Sequence, residues 1–117
     1  MEREIRKVFG DLKREGIIGL AIVDKEGEVI ESVLPSQVHL ETFAIMGATI
    51  IGAASSAMSE LDISGVDITT VYSGEGKIIY ANTDVDLILC VVTDKSFEVE
   101  NILEDIDNAV ENLNQIF

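Results

Sequence analysis

Cysteine, proline, histidine and basic residues are all scarce in this chain, and each shortage excludes something. A single cysteine, Cys90, leaves no internal disulfide and no metal pair. It sits in the run Leu87-Ile88-Leu89-Cys90-Val91-Val92, where a free thiol is expected to act as a buried small hydrophobe. The one proline, Pro35, stops a strand-like segment. The one histidine, His39, has no nucleophile placed beside it by spacing and reads as a surface or capping residue. Lys and Arg number 8 against 22 Asp and Glu, a net charge of -14. That balance disfavours nucleic-acid backbones and anionic membrane surfaces, both of which attract basic clusters. Five of the eight basic residues (Arg3, Arg6, Lys7, Lys13, Arg14) fall before residue 15, and no arginine follows.

What is present is apolar. A hydrophobic fraction of 47% with 26% charged residues fits one folded domain over residues 1–117. No apolar stretch follows a basic start, so no signal peptide is expected and a cytoplasmic location is. The uncharged part of segment 40–61 reads as too short, and too diluted by Gly47, Thr49, Gly52, Ser55 and Ser56, for membrane insertion.

The punctuation predicts eight elements. Ile5, Val8, Phe9 and Leu12 recur at helical spacing over 2–15, closed by Gly16. Residues 17–23 are almost continuously apolar, as in a strand covered on both faces, and a turn at 24–27 leads into a more exposed strand 28–34. Ser36 is the expected cap of a long helix over 40–61. Strands follow at 66–73, at 77–82 after the Gly74-Glu75-Gly76-Lys77 loop, and at 87–92. A last helix runs from Phe97 to Ile116 with Ser96 as its expected cap. The most apolar strands, 17–23 and 87–92, belong in the centre of the sheet. Hairpin connections then leave 66–73 at an edge, where Asp67 is its only charge. The fold class is α+β: a five-stranded antiparallel sheet between helical layers, profilin- or longin-like.

The 40–61 helix carries the functional reading. From Phe43 to Ala54 it has no charge and one hydroxyl, Thr49. A surface helix normally shows one apolar stripe and one charged face. A helical wheel gathers Leu40, Phe43, Gly47, Ile50, Ile51, Ala54, Met58 and Leu61 on the side assigned to the sheet. The opposite side holds Glu41, Ile45, Thr49, Gly52, Ala53, Ser56 and Glu60. Its middle is small enough for a second helix to approach closely, so this flank is expected to be covered from outside the domain.

Element order, the 24–27 turn, the small-residue helix and the 74–77 hairpin together resemble the Roadblock/dynein light-chain family, in its stand-alone prokaryotic form. The resemblance implies a homodimer formed through strand 66–73 and helix 40–61, docking a small Ras-like GTPase on the paired helices. The candidate interface residues are Ile45, Thr49, Gly52, Ala53 and Ser56 on the helix, with Val66, Ile68, Thr70 and Tyr72 on the strand. No catalytic residue, cofactor or metal site is expected. Asp84 and Asp86 read as turn formers, and the 74–77 loop joins two strands, whereas phosphate loops open a helix. The remaining readings are a small-ligand sensor and a purely structural assembly subunit.

Overall fold

A computed structural model describes residues 2–117. The elements are α1 (Glu2–Leu12), β1 (Ile17–Asp24), β2 (Val29–Val33), α2 (Leu40–Glu60), β3 (Ile68–Tyr72), β4 (Gly76–Asn82), β5 (Leu87–Asp94), a 3₁₀ turn (Val99–Asn101) and α3 (Leu103–Ile116). All strands are antiparallel, in the order β2-β1-β5-β4-β3. The two most apolar strands are central, as expected, because only there are both faces covered.

Alternation along the strands divides the core in two. Leu20, Ile22, Ile79, Leu89 and Val91 point to one face, where Ile5, Val8, Phe9 and Leu12 of α1 meet Ile106, Ala109 and Leu113 of α3. Ala21, Val23, Tyr80, Ile88 and Cys90 point to the other, where Ala44 and Ile51 of α2 pack. The three layers therefore stand as α1/α3, sheet, α2.

Three element ends differ from the sequence reading, each for a local reason. Helix α1 stops at Leu12, short of residue 15, because the Arg14 guanidinium folds back and donates to the carbonyls of Asp11 (2.8 Å) and Leu12 (3.2 Å). The N-cap of α2 is His39, whose Nδ1 accepts from the Thr42 N–H at 3.4 Å; Ser36 lies too early, inside a turn closed by the bond from Val38 N–H to the Pro35 carbonyl. The C-terminal helix is not continuous from Phe97. Asp94 Oδ1 accepts from the N–H groups of Ser96 and Phe97, both at 3.0 Å, and this turns the chain through the 3₁₀ segment before α3 begins. Ser96 caps nothing.

With 21 residues, α2 is long and apolar enough to cross a membrane by length and composition, so the shortness inferred from its uncharged run does not hold for the whole helix. Within the domain it packs through Ala44, Gly47 and Ile51, which are buried against the sheet. Gly47 makes that approach possible. A Cβ there would lie 3.1 Å from Cε1 of the Tyr80 ring, tighter than an ordinary contact.

Candidate assembly and docking surface

The wheel assigned to α2 holds through its middle. Phe43, Ile50, Ala54 and Met58 are partly buried on the sheet side beside Gly47 and Ile51, and Ala44 joins them. Leu40 and Leu61 do not: they lie at the helix ends, past the sheet's cover, and Leu61 is 68% exposed. On the opposite flank Ile45, Thr49, Gly52, Ala53 and Ser56 are all exposed, although Ile45, near the helix start, lies against Gly27 of the β1–β2 turn. Among the described residues nothing lies within 4 Å of where a Gly52 Cβ would stand. The flank is also smooth, since the one hydroxyl in its apolar middle, Thr49 Oγ1, is turned inward and donates to the Ile45 carbonyl at 2.8 Å. Met46 and Ala57 are exposed as well, and the wheel nominated neither.

Among the described residues strand β3 pairs only with β4, which leaves an outer edge open to pairing with another chain. Its five pairs with β4 run in unbroken register, and Ile-Thr-Thr-Val-Tyr carries no charge and no proline. The other edge, β2, is better defended: its register slips against β1 between Ile22 and Val23, and it carries Glu31.

The strand contributes to the surface differently from the alternation read in the sequence. Ile68, Thr70 and Tyr72 sit opposite Ala81, Ile79 and Lys77 in register, on the α1/α3 face. Thr69 and Val71, opposite Tyr80 and Ile78, share the face with α2. Val66 precedes the strand, and its side chain is buried in the α2-side core. The segment is held by Asn82, whose Nδ2 donates to the Val66 carbonyl (3.1 Å) and whose N–H donates to the Asp67 carbonyl (2.9 Å). Carrying period-two alternation back to Val66 therefore misplaces it. Thr69 and Val71 were legible as the other half of that alternation.

Groups with chemical potential are engaged elsewhere. Burial pushes the Cys90 thiol up to about 12, and burial followed by the neighbouring Cys90 pushes the Tyr80 phenol up to about 12. The His39 ring is committed to its cap. Asp84 is bonded to Asn114, whose Oδ1 accepts from the Asp84 N–H at 2.8 Å, and Asp86 faces Lys25 at 3.6 Å. Among the described residues no group of three His, Cys, Asp or Glu is placed to hold a metal ion. Arg14, just past α1, bridges to α3 through Asp105 at 2.7 Å, on the sheet face away from α2. A groove of about 640 Å³, open to solvent, lies at the start of α2 between Glu26, Glu28, Glu41, Leu40 and Ile45.

A helix flank and a sheet edge stand open together on a five-stranded sheet held between helical layers, an α/β/α module. The Roadblock/LC7 domain model matches residues 6–93, and the chain belongs to that family. It is similar to an uncharacterized protein of Methanocaldococcus jannaschii, MJ0714, with 30% identity over 118 residues, covering 100% of this chain and 99% of that one. Among solved structures it is similar to the gliding protein mglB from Thermus thermophilus (TM-score 0.86, 18% identity, covering 98% of this chain and 88% of that one). It is also similar to a Roadblock/LC7 domain from Streptomyces avermitilis (TM-score 0.84, 12% identity, 92% of each chain).

Proposed function

We propose that the protein is a cytoplasmic, non-enzymatic homodimer that scaffolds or regulates a small Ras-like GTPase, docking it on the paired α2 helices. The observation carrying this reading is the exposed outer flank of α2 at Thr49, Gly52, Ala53 and Ser56, small side chains continued by the half-exposed Ile45. Family membership supports the same conclusion, as the resemblance to Roadblock proteins implies. An interface of ordinary size buries roughly 800 Å² per partner, and this flank joined to the β3 edge is the surface proposed to supply it.

Regulation through this surface acts by position. An arginine supplied in trans is the usual means of stabilising the transferred phosphoryl charge. Here every arginine belongs to the first 14 residues, on the far side of the sheet. Any acceleration of hydrolysis therefore comes from repositioning the GTPase's own groups. The acidic rim supplied by Glu41 and Glu60 at the two ends of the helix suits a partner with basic groups around its contact patch.

The test uses purified Ras-like GTPases from the source genome, loaded with GDP or a non-hydrolysable GTP analogue and titrated against the protein. Nucleotide-dependent binding that is lost in Ser56→Arg supports the proposal. Equal or absent binding for every GTPase in both nucleotide states refutes it.

A further inference from the structure

Helix α2 covers only part of its own sheet face. It begins over the β1–β2 turn, where Ile45 would lie 2.9 Å from a Cβ on Gly27, and near its far end Met58 packs against the same core cluster that holds Val66, just before β3. Both landmarks lie at one end of the sheet. At the opposite end the same face carries an apolar strip crossing four strands. Val71 of β3, Ile78 of β4 and Val92 of β5 are neighbours in direct register. Ile18 of β1, at the register slip between Ile17 and Gly19, completes the row and is 51% exposed. Together they floor a groove of about 280 Å³ whose lining, among the described residues, comes from the strands and the β3–β4 loop.

The chain has an apolar corner without a partner as well. Leu61 and Ile63, just past α2, are exposed although both are large and aliphatic. Their positions are fixed: Asp62 adopts φ 59°, the Ile63 N–H donates to the Met58 carbonyl and the Asp62 N–H to the Ser59 carbonyl, both at 3.0 Å. This pair of bonds is a Schellman closure, a rigid helix end.

We propose that Leu61 and Ile63 of one copy seat on the Ile18–Val92–Ile78–Val71 strip of a second copy, forming an isologous contact made twice per dimer. This rests on the homodimer proposed above and specifies its geometry. A two-fold axis normal to the sheet at β3 makes the joined strands antiparallel, so the Ile68 end of one meets the Tyr72 end of the other. Residues 61–67 lead into the Ile68 end on the α2 face, as the burial of Val66 in the α2-side core shows. The pairing therefore brings the corner of one protomer beside Val71 of its partner, at the mouth of the strip. Each copy offers both halves of the contact, so one operation covers both exposed apolar features.

Cross-linking with cysteine pairs in the full-length chain tests this. The native Cys90 is fully buried and will not compete for reagent. The double variant Leu61→Cys/Val71→Cys, treated natively with a short bismaleimide, is expected to run as a covalent dimer, with little from either single variant. Leu61→Ser should also raise the dimer dissociation constant roughly tenfold or more, as truncation of a buried anchor does. Thr70→Cys, in the middle of β3, reports the strand pairing separately. If Thr70→Cys cross-links and the solution mass is dimeric, yet the 61/71 pair does not react, the corner-to-strip contact is refuted while the dimer stands. If neither pair reacts and the mass is that of a monomer, both are refuted.

Discussion

Replacing Gly52 with glutamate separates folding from assembly, because that position has no neighbour of its own within 4 Å. Within the monomer the change is favourable: glycine in a helix interior costs about 1 kcal/mol against good helix formers, and glutamate is one. In the dimer the new carboxylate falls where two helices approach most closely. An uncompensated buried charge costs about 3–5 kcal/mol. Two-fold symmetry places two of them in one interface, about 6 kcal/mol at the lower end of that range. At about 1.4 kcal/mol per tenfold, the dissociation constant rises by roughly four orders of magnitude. Light scattering at micromolar concentration should therefore give twice 12.7 kDa for the natural chain and 12.7 kDa for the variant. The far-ultraviolet circular dichroism of the variant should keep its helical and strand content. A full-size dimer of Gly52→Glu would show that the helices meet on another face. A variant that fails to fold would show that the flank is covered within the chain.

Other expectations follow from the packing. Gly47→Leu forces atoms into the Tyr80 ring and should destabilise the fold by about 1–3 kcal/mol in chemical denaturation. Arg14→Ala removes the Asp105 bridge and the carbonyl contacts, which should lower stability by about 1 kcal/mol because the pair is part-exposed, and should leave GTPase binding unchanged. Raised folded-state pKa values at Cys90 and Tyr80 mean that the native state holds their protons longer than the unfolded chain does. Their contribution is complete below about pH 9, and denaturation midpoints should fall as pH rises from there toward 12. Cys90→Ala should remove the first part of that decline.

The fold was legible because its signals were local and redundant. Continuous apolar runs at 17–23 and 87–92 demanded cover on both faces, and hairpin-length loops left one sheet order, the one observed. Element ends were less so, because they depend on contacts the pattern does not show: Arg14 reaching the α1 carbonyls, and Asp94 turning the chain before α3. On the helix, the small-residue stretch was readable from spacing alone, since Gly52 stands where no side chain in the domain needs room. On the strand, parity decided everything. Val66 looked like the first tooth of the alternation, but the strand starts two residues later and that side chain belongs to the core. The strip from Ile18 to Val71 was invisible in sequence, because it is assembled from four strands and marked only by where α2 stops.

Sedimentation equilibrium of the unmodified protein across the micromolar range tests most directly whether the open α2 flank and β3 edge are self-association surfaces. A species of twice 12.7 kDa, or a higher even multiple, is the predicted result. A single 12.7 kDa species throughout that range would contradict it.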